Sequence, residues 1–380
     1  MTVSKDIKFN FLSKDELERY QKHLTLKEIG SEGQIDLKNS SVLCIGAGGL
    51  GSSVLLYLAA TGIGKIGIVD NDYVEKSNLQ RQIIHETNTI GNLKIDSARE
   101  RIKKLNPNSE LLTFFERINP NNALEIIREF DIICDCSDNF GTRYLINDAC
   151  LILNKPLVFG SVQGFEGQIS VFNLNKQSPN LRDLLPESPS KNAVPSCAEY
   201  GVVGVTTGLI GILQVNEIIK IILKKGEILD GKILVFDLLN INMKKLNLKS
   251  DQLNKRIKNL SEFADYYIDD ECSEKNIVIN RINANDFNSL YKAKPNKILL
   301  IDVRENEEFS TFAIEGSISI PLSHLNQDSD LEFIQKESLI KDVFIICKSG
   351  KRSEKASKIL SKFKIKSRSI EGGIEKLKKY

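Results

Sequence analysis

The chain has no tryptophan, two methionines, three histidines and nine prolines in 380 residues. It also lacks an excess of either charge. Lys plus Arg number 52 and Asp plus Glu 50, a net of +2, which argues against chain-wide binding of nucleic acid or another polyanion. Seven cysteines are too few for a disulfide scaffold at this length, and no C-x-x-C pair occurs, so a structural zinc site of the usual spacing is not expected. With three histidines, no metal-spaced pair and no Ser/His/Asp set stands out; His85 and His324 read as structural or surface residues. The first residues, Met1-Thr2-Val3-Ser4-Lys5-Asp6, lack the apolar run of a signal peptide. The greasiest stretch, Gly201 to Leu223, is interrupted by Thr206, Thr207, Gln214, Asn216, Glu217 and Lys220, so a buried helix is expected there and not a membrane span. These absences leave a reduced, cytoplasmic protein with no membrane partner. At about 150 residues per domain, the length predicts two domains.

Charge is unevenly spread. Residues 341–380 hold 13 basic and 4 acidic residues, +9, which leaves −7 for the remainder. The segment Lys362 to Lys379 reads as a solvated face of the last helices.

Ser13-Lys14-Asp15-Glu16 predicts a helix start with a capping box. Ser41 to Ile45 predicts a buried strand, and Gly46-Ala47-Gly48-Gly49-Leu50-Gly51 follows it. Ser52 to Thr61 then has a helical pattern, and Lys65 to Val69 predicts a second strand ending at Asp70. This is the opening of a doubly wound α/β sheet. Further strands are expected at Asp131 to Cys134, Leu157 to Gly160, Gln168 to Phe172 and Lys232 to Phe236, and a helix from about Val205 to Leu223. Pro179, Pro186, Pro189 and Pro195 predict an extended loop over 179–195. Residues 249–276, rich in Lys, Asn, Asp, Glu and Ser, read as a linker with some helix. A second α/β unit opens near Ile277.

The glycine turn fits G-x-G-x-x-G between strand and helix. Its glycines admit a phosphate close to the backbone, and the helix N-terminus offers N–H groups and positive potential. That pattern alone also suits an NAD- or FAD-dependent oxidoreductase, or a turn without a ligand. Ser77-Asn78-Leu79-Gln80-Arg81-Gln82, then Lys94, then Asp138-Asn139 after the strand ending Cys134-Asp135-Cys136, add two cations and an acid. Such a set suits a triphosphate with a metal ion better than a dinucleotide.

Together these residues resemble the MoeB/ThiF branch of the E1-like, ubiquitin-activating enzymes over residues 13–248. The resemblance implies a Rossmann-like adenylation domain over 1–248, joined by the 249–276 linker to a second domain over 277–380. It further implies that ATP adenylates the C-terminal glycine of a small ubiquitin-like sulfur carrier ending in Gly-Gly, with molybdopterin synthesis as the first-choice pathway and thiamine or tRNA thiolation as alternatives. Gly46, Gly48, Gly49, Gly51, Ser77, Gln80 and Asn139 would then line the nucleotide, and Asp70 would contact its ribose. Asn78, Arg81 and Lys94 would face its phosphates, and Asp138 would hold Mg²⁺. A homodimer is implied by the family's in-trans arginine, whose position here is Lys22. Lysine keeps the charge without the guanidinium fork. Where many relatives carry zinc on two C-x-x-C pairs, this chain has Asn180-Leu181-Arg182-Asp183 and, near the second, only Cys272; no zinc is expected.

Cys197, in Val194-Pro195-Ser196-Cys197-Ala198-Glu199, lies before a helix start and is a candidate nucleophile, with a packing role as the alternative. Cys44, Cys134, Cys136 and Cys150 read as buried core and Cys272 as incidental. Cys347 follows the strand Val343-Phe344-Ile345-Ile346 and opens Cys347-Lys348-Ser349-Gly350-Lys351-Arg352-Ser353. A loop of N–H groups and cations there favours a thiolate. With Leu300-Ile301-Asp302-Val303-Arg304 and Ile314-Glu315-Gly316 to Pro321, this resembles a rhodanese domain, a smaller α/β fold. The resemblance implies that Cys347 carries a persulfide, with Lys348, Lys351 and Arg352 supporting the thiolate and a cysteine desulfurase or similar enzyme supplying the sulfur. A non-catalytic scaffold that binds carrier and nucleotide is the rival of another class.

Overall fold

The computed structural model describes residues 11–186, 201–255, 257–261, 267, 279–325, 328–363 and 365–377. The chain divides into two compact units, Met1–Asp269 and Asp270–Tyr380.

In the first unit, strands β1 (Ser41–Ile45), β2 (Lys65–Val69), β3 (Glu110–Phe114), β4 (Ile132–Asp135), β5 (Leu157–Gln163), β6 (Glu166–Phe172), β7 (Lys232–Asp237) and β8 (Asn242–Asn247) form one sheet in the order β3-β2-β1-β4-β5-β6-β7-β8. The first five in that order are parallel, and β6, β7 and β8 are added antiparallel. Short apolar runs with little polar alternation are what a strand covered on both faces requires. Val42 and Cys44 of β1 belong to the core on one face, beneath the helices Gly49–Thr61, Lys94–Leu105 and Gly204–Leu223. Leu43 and Ile45 belong to the other, beneath Ala123–Arg128 and Phe140–Leu153. Strand order reverses at β1, because β2 and β3 lie to one side and β4 and β5 to the other. The crevice beyond the carboxyl ends of β1 and β4 is therefore the place where this topology receives a ligand.

The helix Gly204–Leu223 is, among the described residues, the one long and apolar enough to cross a bilayer, but it packs within this unit. Gly211 makes the contact close: a Cβ there would stand 2.1 Å from Ser53 Oγ. Its buried Gln214 and Glu217 have partners inside. Gln214 Nε2 donates to the carbonyls of Asp135 (2.8 Å) and Val158 (3.3 Å), and Glu217 accepts from the Leu229 N–H. The capping box at Ser13 and Glu16 is present.

Strand β8 falls where composition suggests the approach to a linker. Its six residues are all exposed, so no apolar periodicity marks it. The stretch 249–276 is not linker throughout. Ile257 and Leu260 are buried, and Leu260 joins the core beneath Phe140–Leu153. Tyr267 donates to Asp148 Oδ2 at 2.7 Å, Asn254 Nδ2 donates to Asp183 Oδ1 at 2.9 Å, and the Asp251 N–H donates to the same oxygen at 2.8 Å. A few apolar residues suffice to seat the described residues 257–261 within the first unit.

In the second unit, β9 (Asn280–Ile282), β10 (Ile298–Asp302), β11 (Ile318–Ser319), β12 (Asp342–Ile346) and β13 (Ser367–Ile370) form a parallel sheet ordered β11-β10-β12-β13-β9. Leu299, Ile301, Val343 and Ile345 pack on one face with Ala356 and Leu360 of the helix Lys351–Lys362. Leu300, Phe344 and Ile346 pack on the other with Phe287 and Ile374. At the end of β10, Arg304 forks onto Asp302 (Nε 3.0 Å, Nη2 2.7 Å) and donates to the carbonyls of Glu308 and Phe312. Both side chains are buried. Removing one member of such a pair leaves the other charge buried and uncompensated. Asp302→Ala is therefore expected to destabilise the second unit by about 3–5 kcal/mol, read as a lower urea midpoint by circular dichroism; an unchanged midpoint would show that the pair contributes nothing.

Candidate functional site

The glycine turn after β1 is tight because neighbouring backbone occupies the space of any side chain. Gly46 has φ +102°, and a Cβ on it would lie 2.7 Å from the Cys136 carbonyl oxygen. A Cβ on Gly51 would lie 2.0 Å from the Gly46 carbonyl oxygen, and one on Gly49 would lie 2.9 Å from Thr207 Cγ2. Gly48 is the N-cap of Gly49–Thr61 and brings no side chain to its first N–H groups. A helix start of this kind is an anion site by construction.

Asp70, at the end of β2, accepts from the Ala47 N–H and the Asp72 N–H, each at 2.8 Å. Burial raises its pKa, and the Lys94 ammonium opposes that shift. Lys94 opens the helix Lys94–Leu105 and is buried; its Nζ lies 2.9 Å from Asp72 Oδ2. The turn, Asp70 and Lys94 thus meet at one sheet edge.

The segment 77–82 lies against the first turn of Gly204–Leu223, where a Cβ on Gly204 would come 2.4 Å from the Gln80 carbonyl oxygen. Arg81 is half-buried and donates to the Ser77 carbonyl at 3.2 Å. Gln80 donates to the Val202 carbonyl at 3.4 Å. Ser77 Oγ bonds Glu75 at 3.1 Å, and Asn78 accepts from the Glu75 N–H at 2.9 Å, so both shape the local turn. Gln82 is buried with Oε1 unpartnered among the described residues, and its Nε2 faces Gly48.

At the end of β4, Asp135 accepts from the Ser137 N–H (2.9 Å) and hydroxyl (2.6 Å). Its other oxygen is buried and unpartnered among the described residues, and burial raises its pKa against the pull of Arg143. Asp138 is exposed, with no hydrogen bond or ion pair among the described residues. Asn139 is occupied as a helix cap, accepting from the Thr142 N–H at 2.8 Å.

Lys22 does not join this crevice in its own chain. It is exposed on the short helix Gln21–Leu24, and its neighbours fix where that helix lies. Tyr20 accepts from Asn106, Arg19 donates to the Leu105 carbonyl, and Gln34, bonded to His23, donates to the Thr61 carbonyl. All three contacts are at the C-terminal ends of helices whose N-terminal ends carry the glycine turn and Lys94. A 13-residue helix separates those ends by about 18 Å. Arg19, engaged at Leu105, is equally remote. Cys197 and Cys272 lie outside the described residues. Cys44, Cys134, Cys136 and Cys150 are buried in the core, and burial pushes the Cys134, Cys136 and Cys150 thiols up in pKa. Asn180 and Asp183 bond to Asn254 and Asp251.

The second unit holds the sulfur candidate. Cys347 follows β12 and is 1% exposed. Its Sγ accepts from the N–H groups of Gly350 (3.2 Å) and Ser353 (3.3 Å). Gly350 takes φ +98° to turn the chain into the helix Lys351–Lys362. Ser353 is pinned by bonds to the Gly350 carbonyl and to Ser369 Oγ, each at 2.8 Å. Arg352 departs from the expected role. Its guanidinium is forked onto Glu308 at 2.6 and 2.8 Å, which holds the Glu308 carboxyl down to about 2. The guanidinium stays within electrostatic reach of Cys347, but the groups that donate to sulfur are the Gly350 and Ser353 N–H, while the thiol itself donates to Ser353 Oγ at 3.7 Å. Lys348 and Lys351 are exposed. The sequence reading missed Asp135, Gln82 and Glu308; a carboxylate directly at a strand end, as in Cys134-Asp135-Cys136, was the available signal for the first.

The family models match on these same segments: ThiF family over residues 20–257 and rhodanese-like domain over residues 283–380. The chain is 38% identical over 357 residues to the adenylyltransferase and sulfurtransferase MOCS3 of Drosophila virilis, covering 90% of this chain and 78% of that one. It is 40% identical over 370 residues to a probable molybdopterin-synthase adenylyltransferase of Porphyra purpurea, covering 95% and 93%. In fold it is similar to E. coli MccB solved with MccA-N7isoASN, with TM-score 0.56, 22% identity, and 66% of this chain and 76% of that one covered. With a glycine turn, strand-end acid and buried lysine in one unit and a cradled cysteine in the other, the chain belongs to the ThiF family and carries a C-terminal rhodanese-like domain.

Proposed function

We propose that the first unit uses ATP to adenylate the C-terminal glycine of a small ubiquitin-like sulfur carrier, and that the second supplies sulfur to turn this end into a thiocarboxylate, in molybdopterin synthesis. The observation that carries the reading is the convergence of the glycine turn, Asp70 and Lys94 where strand order reverses. The identities to MOCS3 and to a molybdopterin-synthase adenylyltransferase over most of the chain support it.

A carboxylate is a poor electrophile. In the proposed first step a carrier carboxylate oxygen attacks the α-phosphorus, pyrophosphate leaves, and an acyl-adenylate forms. Negative charge gathers on the phosphoryl oxygens, so fixed N–H dipoles and cations are the main device available. The helix start at Gly48 and Gly49 supplies the dipoles. Lys94, released from Asp72, and Arg81 supply the charge, and Asp70 receives the ribose. Asp138 would hold Mg²⁺, since an exposed, unpartnered carboxylate beside the crevice is a suitable hard-cation ligand. The bound ion would neutralise the leaving pyrophosphate. In the second step the outer sulfur of a Cys347 persulfide attacks the activated carbonyl carbon and AMP leaves, giving an acyl disulfide. A thiolate, assigned to Cys197, then attacks Cys347 Sγ, releases the thiocarboxylate and leaves a disulfide for reduction by an external thiol. A cysteine desulfurase-type donor reloads Cys347. We place the enzyme in the cytoplasm as a homodimer, with Lys22 reaching the partner's crevice. No zinc is assigned, because the chain has no C-x-x-C pair.

Lys94→Ala should lower carrier-dependent ATP–pyrophosphate exchange by about 10²–10³-fold, the usual loss of one preorganised charge-stabilising donor. Exchange at the wild-type rate would remove Lys94 from the site. Cys347→Ser should leave that exchange intact while mass spectrometry of the carrier finds no thiocarboxylate; equal thiocarboxylate yield from this variant would defeat the sulfur-relay assignment.

A further inference from the structure

Glycine occupies three of the four positions from 46 to 49, so little in this turn restrains its own peptide planes. Two side chains from elsewhere do so. The Gly46–Ala47 peptide is held through its N–H, which donates to Asp70 Oδ2 at 2.8 Å. The Ala47–Gly48 peptide is held through its carbonyl, which lies 3.1 Å from His85 Nε2. A carbonyl only accepts, so Nε2 bears the proton. His85 is 5% exposed, and behind it Nδ1 lies 3.0 Å from Ser97 Oγ, which in turn lies 3.1 Å from Thr89 Oγ1. Burial, together with the nearby Lys94 ammonium, brings the imidazole down to about 4. At neutral pH the ring is therefore neutral, and because Nε2 faces a carbonyl its single proton sits there.

A trans peptide is planar, with its C=O and N–H pointing in opposite directions. Fixing the Ala47 carbonyl therefore also fixes the Gly48 N–H, directed away from the imidazole. We propose that His85 is a positioning residue: as its Nε2–H tautomer it locks the Ala47–Gly48 peptide and so aims the Gly48 N–H and the helix start behind it at the nucleotide phosphates. This rests on the adenylation reading above. Donors fixed before substrate arrives need no reorganisation during the reaction, and this gives a buried histidine remote from the reacting atoms a measurable effect on rate.

The test compares His85→Gln, which keeps an amide N–H near the place of Nε2, with His85→Asn, which puts it near Nδ1, and His85→Leu, which has none. In ATP–pyrophosphate exchange with a Gly-Gly carrier, Leu and Asn should lose roughly tenfold or more in kcat/KM for ATP, as expected for one lost donor, and Gln should recover most of it. Equal values for Leu and Gln, with the wild type active, would overturn the positioning role and leave the adenylation reading standing. Long-range ¹H–¹⁵N spectra of the wild type at pH 7 should show His85 as the neutral Nε2–H tautomer. An Nδ1–H tautomer or an imidazolium would overturn the inference even if the wild type proved inactive in exchange, a result that would defeat the adenylation reading itself.

Discussion

The hydrogen bond from the Ala47 N–H to the Asp70 carboxylate joins the ends of β1 and β2 and sets the geometry of the whole crevice. Through Asp70, the second strand end is tied to the Asp72 N–H, and Asp72 holds Lys94 by both backbone and side chain. Three segments far apart in sequence therefore share one short path of contacts. The cost of burying Asp70 is offset in part by two N–H donors and a neighbouring ammonium. A carboxylate satisfied in this way keeps its place only if the strands beneath it keep their register.

The register is secured by the core. Val42, Cys44, Ile66 and Ile68 face one helix layer, while Leu43, Ile45 and Val69 face the other. A slip of one residue would exchange the two sets and move every strand end relative to the crevice. The helix Gly204–Leu223 adds to this by binding the Asp135 carbonyl through Gln214, so the end of β4 is fixed from the side as well as from its neighbours. One of the polar residues that argue against a membrane span in the sequence, Gln214, thus helps to position the site.

Much of this was legible in the sequence where the relevant residues are contiguous. Ser41 to Ile45, the glycine turn and Lys65 to Val69 announce strand, turn and strand within thirty residues, and β1 and β2 have those bounds. Cys347 and its loop are legible for the same reason. What depends on long-range pairing was not. Strand β8 has no buried face to imprint a pattern. Asn139 looks like a ligand in a motif, yet its oxygen is taken by the helix that it starts. Arg352 looks like a cation for sulfur until Glu308, 44 residues upstream, claims it. The neutral state of His85 depends on burial and on Lys94, which no local pattern reveals.

The pairing of Arg352 with Glu308 has a further consequence for the chemistry of Cys347. With the guanidinium engaged elsewhere, the donors touching the sulfur are main-chain amides of Gly350 and Ser353, and a main-chain amide has no proton to lose in the range where proteins stay folded. The two N–H donors of the cradle therefore keep their protons whatever the acidity, and their hold on the sulfur is set by backbone geometry alone.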